Sequence, residues 1–448
     1  MRSGRSFLLL LVVALGLGAY IYFVELERDP ASTTESTRTK VFDLAPGSIQ
    51  EVQINNASGD QTTVVKQDTT WRITQPEPAE ADTVEVAQVV SSIETLEQSR
   101  VVAENASDLS QFGLAPARIT LTFKAGDTSQ TLKIGNKTPT GGDMYATTGD
   151  STKVVLIPGY LEDTFNKTPF SLRDKSVLRF AREAADSISI THGSTELGFT
   201  KSGETWRLSA PVNAKADASA VDALVSRLFQ ARMAGLVTSD GTAELAKYGL
   251  ARPQAVVVVG AGSSRAELAI GSAEGDANVY ARDMARPMVF TVEKALLDDL
   301  KKSATDLRSK DLFDFRSFNA SSFDVTMDGT TYSFVKKAGE GDNAADVWTL
   351  TTPSTKTVDA TKMTDLLTTA SNLRAESFVT TVPSGGSPVA IKAQIGEGAG
   401  AVTESVTFRK VGSTVHAMRE GEPGAAVVST IDFDKVVALV KELAGSGQ

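Results

Sequence analysis

Three tryptophans, Trp71, Trp206 and Trp348, punctuate the 448-residue chain. Each is followed five positions on by a proline (Pro76, Pro211, Pro353) and eleven positions on by an aspartate (Asp82, Asp217, Asp359). Recurrence at two fixed offsets constrains the fold more tightly than composition does. It signals one supersecondary unit used several times, with its apolar face buried against its surroundings.

A helix period follows each aspartate. The apolar positions are Val86, Val89, Val90, Ile93 and Leu96 after the first. After the second they are Val221, Leu224, Val225 and Leu228, and after the third Met363, Leu366, Leu367, Ala370 and Leu373. This i, i+3, i+4, i+7 spacing predicts an amphipathic helix, with the aspartate as its N-cap, accepting free first-turn amides and complementing the helix dipole. The proline ends the preceding strand because it has no N–H for a ladder. Alternating sequence before each tryptophan (Val52–Ile54, Ile188–Ile190, Phe323–Met327) with nearby Asn and Gly predicts β-hairpins. The indoles are expected in the core, with a carbohydrate platform as the alternative.

The first two copies continue in parallel. Phe112–Gly113–Leu114 with Pro116 matches Tyr248–Gly249–Leu250 with Pro253, and Ile134–Gly135 matches Ile270–Gly271. Tyr145–Ala146 matches Tyr280–Ala281, and Leu172–Arg173–Asp174–Lys175 matches Leu307–Arg308–Ser309–Lys310. The third copy lacks the Gly-Leu block, carries the turn-rich stretch 383–388 instead, and ends before any Leu-Arg-x-Lys. Each copy reads as three strands, a helix, three strands and a helix. The fold class is therefore α+β with mainly antiparallel sheets.

Before the copies, Phe7 to Val24 is an uncharged apolar run of 18 residues, about 27 Å as a helix at roughly 1.5 Å per residue. Arg2 and Arg5 precede it, and Glu25, Glu27 and Asp29 follow. The positive-inside rule then puts the short N-terminus in the cytoplasm and the rest of the chain outside. A cleaved signal peptide is the competing reading, but Tyr20 to Phe23 make a poor cleavage region. The expected division is a short tail and membrane anchor (1–24), a polar linker (25–41), and three copies at 42–179, 180–314 and 315–448, the last degenerate.

The block order resembles the bacterial domain-of-unknown-function family numbered 4340, well over about residues 45–315 and loosely beyond. Members of that family typically carry one N-terminal membrane helix and are often encoded beside ABC transporter subunits of the gliding-motility type. The resemblance implies a transporter-associated role in the envelope, with transporter subunits as partners. It brings no catalytic residues.

The residues offer little chemistry of their own. A net charge of -10 disfavours nucleic acid. The absence of cysteine removes disulfides, thiolate metal sites, cysteine nucleophiles and a lipoprotein anchor. The two histidines, His192 and His416, have no partner at metal-ligand spacing. There is no P-loop and no nucleophile elbow, and Gly260–Ala261–Gly262 reads as a hairpin turn because Arg265 stands where a dinucleotide fingerprint needs its third glycine. No cofactor, metal or catalytic residue is expected. Arg173, Asp174, Lys175, Arg308 and Lys310 are candidates for ion pairs at the junctions between copies, with an anionic ligand as the alternative. The expected function is a non-enzymatic scaffold or binding protein of the cell envelope, tethered to the bacterial inner membrane with the bulk of the chain in the periplasm. A glycan- or solute-binding module and a cryptic hydrolase are the alternatives.

Overall fold

The computed structural model describes residues 39–240, 244–337, 346–382 and 384–445. The apolar run Phe7–Val24 and most of the polar linker lie outside them. Among the described residues no helix is long and apolar enough to cross a membrane. The chain divides into two compact units, 1–175 and 176–448.

The first unit is built on a nine-stranded sheet. From edge to edge its strands are Ala79–Glu80, Thr70–Gln75, Gln61–Gln67, Ile49–Asn55, Ile119–Ala125, Thr128–Lys137, Asp143–Thr148, Val154–Pro158 and Arg100–Ala103. Every neighbouring pair is antiparallel, as tight hairpin connections require. A two-stranded pairing joins Thr39–Lys40 to Glu97–Gln98.

The second unit holds two more nine-stranded sheets. One runs Ala214–Lys215, Thr205–Ala210, Thr195–Ser202, Ala185–His192, Ala255–Ala261, Ser264–Glu274, Asn278–Asp283, Val289–Glu293 and Gly235–Thr238. The other runs Lys356–Thr357, Val347–Thr352, Thr330–Lys337, Ala320–Met327, Pro388–Ile395, Val402–Val411, Thr414–Arg419, Ala425–Val428 and Ala375–Val379. Taken in sequence order within each sheet, the three strand orders coincide position by position.

The sheets carry nine strands each rather than six. One addition is the two-residue strand after each Trp-Pro segment, too short to show a period. Another is the first strand of the sheet after the helix, which crosses to the far edge and pairs with a strand about fifty residues away. Its pairing is long-range and leaves no local signature. The closing helices also differ from expectation. The first two sheets end in short helices, Glu162–Phe165 with Pro169–Leu172 and Lys294–Leu300 with Ala304–Leu307. Only the third ends in a long one, Thr430–Ala444.

Beside each sheet lies the helix started by the recurring aspartate. Asp82 accepts Val84 N–H at 3.0 Å and Glu85 N–H at 3.2 Å. Asp217 accepts Ala220 N–H at 3.0 Å, and Asp359 accepts Lys362 N–H at 2.8 Å. The helices Thr83–Glu94, Ala218–Gln230 and Ala360–Ser371 turn their periodic apolar residues inward. Trp71, Trp206 and Trp348 are all buried, and each lies opposite a lysine of the neighbouring strand (Lys66, Lys201, Lys336). Lys201 Nζ sits 5.6 Å from the Trp206 ring centre, and the Trp206 indole N–H donates to Asp222 Oδ1 at 2.8 Å. The indoles are packing elements, and none is splayed into solvent. Pro76, Pro211 and Pro353 directly follow the tryptophan strands, each through a cis peptide bond.

Candidate functional site

Within each of the first two sheets, taken separately, the matched blocks meet in space. Gly113 and Gly249 adopt positive φ (69° and 70°), a left-handed conformation that costs a residue with a Cβ more than glycine. The turn they make lays the Phe112 carbonyl against Gly135 and the Tyr248 carbonyl against Gly271. A Cβ at either glycine would stand 2.1 Å from that oxygen. Phe112 packs on Tyr145, and Tyr248 on Tyr280, each pair with ring centres 5.0 Å apart. Blocks tens of residues apart thus form one packing cluster, and their recurrence serves packing.

The Leu-Arg-x-Lys blocks fold back onto the start of the capped helix. Asp82 N–H donates to Leu172 O at 2.8 Å, Asp174 N–H donates to Glu80 O at 2.9 Å, and Arg173 bridges to Ala81. In the second sheet Asp217 N–H donates to Leu307 O at 2.9 Å, Ser309 N–H donates to Lys215 O at 2.9 Å, and Arg308 bridges to Ala216. Arg173 is buried, while Lys175 donates to Ser171 O at 2.8 Å.

Arg308 does more. Its buried guanidinium donates to Glu422 Oε2 at 2.7 Å and stacks 4.0 Å from the centre of the Phe378 ring. Both partners belong to the third sheet's segment. Glu422 also accepts from Lys215 N–H at 2.9 Å and from Arg419 at 3.0 Å, so one carboxylate ties residues of both sheets. Burial pushes its pKa up, but the Lys215 amide and the Arg419 and Arg308 guanidiniums outweigh this and hold it below the usual value. Lys310 contributes its carbonyl, which accepts from Ala375 N–H at 2.7 Å.

A cleft of about 330 Å³ adjoins this cluster. There Lys215 pairs with Asp314, and Glu404 accepts the backbone N–H groups of Asp314 (2.8 Å) and Phe315 (3.1 Å). Burial and the Asp314 carboxylate push Glu404 up. Burial also raises Asp314, but the Lys215 ammonium dominates and lowers it. Asp314, Glu404 and Glu422 were not legible as site residues, because Lys215, Asp314 and Arg308, the partners that join them to this cluster, stand 99, 90 and 114 positions away. Arg419 donates to Leu312 O at 3.2 Å, and the Arg286 guanidinium likewise donates to Ser176 O and Val177 O at 2.6 and 2.7 Å. In both sheets of this unit an arginine clamps the segment that leads into the sheet.

The first unit has a larger opening of about 410 Å³ where the capped helix ends. Ser92, Thr95, Glu97, Ser99 and Asp143 give it hydroxyls and carboxylates, and Tyr160 stands at its mouth, 79% exposed. Ser99 Oγ donates to Asp143 Oδ1 at 3.3 Å. His192 is the last residue of its strand, and His416 is buried in the strand Thr414–Arg419. Among the described residues no group of three or more His, Asp or Glu side chains is placed to hold a metal ion.

The family described as Domain of unknown function (DUF4340) matches this sequence over two stretches, residues 71–205 and 206–391. No curated protein matches it. Among solved structures, the crystal structure of DNA polymerase sliding clamp from Pseudomonas aeruginosa with ligand aligns at 9% identity over 87% of this chain and 93% of its own. Its TM-score is 0.15, and a likeness at that level carries no argument.

Proposed function

This chain belongs to the DUF4340 family, and from that premise we propose that it is a non-enzymatic, membrane-tethered scaffold of the bacterial envelope, built from three tandem copies of one α+β module. The observation that supports this reading is the common strand order of the three sheets, in which the recurring Trp, Pro and Asp serve packing and capping. Repeated modules create extended surfaces for partners. The tether is the apolar run Phe7–Val24, which the charge asymmetry around it orients with the C-terminal bulk outside the cytoplasm. Subunits of an ABC transporter are the partners that the family resemblance suggests.

The chain contains no cysteine, which makes its topology directly testable. Ser58→Cys places a single thiol on an exposed turn of the first unit. A membrane-impermeant maleimide should label it in intact spheroplasts as fully as in lysed cells, and should leave a cysteine at Ser3 unlabelled until lysis. The reverse pattern defeats the topology. In-cell photocrosslinking from the same exposed turn should join the chain to a transporter subunit, and crosslinks to soluble cytoplasmic proteins alone would defeat the scaffold reading.

A second reading, a periplasmic ligand-binding module, draws on the open cavity beside Tyr160.

A further inference from the structure

The first two sheets have matching openings at the end of their capped helices, and a side chain of the protein narrows one of them. In the second sheet the opening is about 170 Å³ and is lined by Arg227, Gln230, Arg232 and Glu293. Arg227 lies across it, donating to Glu293 Oε2 at 2.9 Å and reaching Asp299 at 3.6 Å. The tryptophan-to-tryptophan offset puts Ser92 where the second sheet has Arg227, Pro158 where it has Glu293, and Tyr160 where it has Ala295. The backbone agrees with this alignment: Gly159 N–H donates to Gly142 O at 2.9 Å, and Lys294 N–H donates to Ala277 O at 2.8 Å. Where the second sheet holds its own guanidinium, the first has a serine and a cavity of about 410 Å³.

The walls of that cavity are one-sided in charge. Glu97 and Asp143 line it, with no lysine or arginine among the lining residues. Among the described residues neither carboxylate has a cationic partner. Lys40, opposite Glu97 in the short pairing of Thr39–Lys40, forms no ion pair with it. The Ser92, Thr95 and Ser99 hydroxyls add acceptors, and Tyr160 offers an exposed ring face at the mouth. Carboxylates with an aromatic face recognise a guanidinium or ammonium group by charge-assisted hydrogen bonds and cation–π attraction. The volume falls within the range of small-ligand pockets.

We propose that the cavity bounded by Glu97, Asp143 and Tyr160 is a binding site for a guanidinium or ammonium group, filling the space that Arg227 occupies in the second sheet. The ligand is an arginine or lysine side chain of a partner, or a small cationic amine of the same chemistry. This goes beyond the scaffold reading and stands whether or not a transporter is the partner.

The test is calorimetric titration of the detergent-purified full chain with N-acetylarginine amide, spermidine and an arginine-containing tetrapeptide. All three are cationic, and the order of affinities identifies the source: the tetrapeptide tightest for a partner side chain, spermidine tightest for a free amine. Glu97→Gln with Asp143→Asn should weaken binding at least tenfold. Ser92→Arg with Pro158→Glu, which transplants the second sheet's ion pair, should abolish it while the far-UV spectrum stays unchanged. If the transplant misfolds, the carboxylate pair and Tyr160→Ala decide the matter, each expected to weaken binding. Absence of binding by all three probes at millimolar concentration overturns the proposal, as does binding undiminished by loss of both carboxylates or binding of neutral sugars in place of the cations.

Discussion

The second and third sheets share a strand order and lie in one compact unit, yet their cores close differently. The second is closed by the Tyr248–Gly249–Leu250 block and two short helices. The third replaces both helices with Thr430–Ala444, which packs against the helix Ala360–Ser371 and brings Phe433, Val436, Val440 and Leu443 into the core. The exchange is visible in the strands beneath. Arg409 and His416 hold the register positions of Gly271 and Tyr280. Gly271 must be bare because the Tyr248 carbonyl lies against it. Where no block lies across the strand, a long side chain fits. The Trp–Pro–Asp frame is thus a constant that tolerates a variable closing piece.

Truncating the frame should cost most. Trp206→Ala and Trp348→Ala are each expected to destabilise the second unit by about 3–5 kcal/mol, read by urea denaturation. If either variant melts like the wild type, its indole is not part of a common frame and the equivalence of the two sheets fails.

Next comes the tie between the sheets. Glu422→Gln leaves Arg308 and Arg419 buried without their carboxylate, a loss of about 3 kcal/mol. Differential scanning calorimetry should then resolve the second and third sheets as separate transitions. Persistence of one sharp transition would show that the tie is not the coupling. The same carboxylate predicts acid sensitivity. Its folded pKa lies below the ordinary 4.5, so its contribution is present above that value and is lost as pH falls through the folded pKa. Glu404, held above its ordinary value, works in the opposite direction: its contribution is present in acid and is lost as pH rises through its folded pKa. Melting temperatures from pH 3 to 7 should therefore show a smaller loss on acidification for Glu422→Gln than for the wild type.

A smaller effect separates the closing pieces. Gly271→Ala and Gly135→Ala should each cost about 1–3 kcal/mol, because a Cβ must push the opposing carbonyl aside. Arg409→Ala, at the same register position in the third sheet, should cost less than either. Equal losses at all three positions would erase the contrast. Asp359→Ala should have the smallest effect, about 1 kcal/mol for one lost helix cap, measured by thermal melting and matched by Asp217→Ala.

Particular residues show how far the sequence carries. Asp82, Asp217 and Asp359 were readable as caps because a cap acts on amides two or three positions away. The inward faces of the three helices were readable from their period. Arg308 was readable as a candidate for a junction ion pair, but its partner Glu422 was not, since 114 positions separate them. The cavity beside Tyr160 was not readable at all. Tyr160 and Asp143 carry no pattern, and their proximity to Ser92 and Glu97 arises only when a late strand and the helix end come together.

The sequence alone determined the α+β class, the recurring Trp–Pro–Asp spacing and the helices that the aspartates cap. Those features rest on interactions within about fifteen residues. Only the tertiary structure decided which strand crosses to the far edge, which carboxylate ties the second sheet to the third, and which of two matching cavities is the wider. Such choices depend on side chains brought together from distant positions, where one residue, serine or arginine at the helix end, sets whether the cavity is wide or narrow.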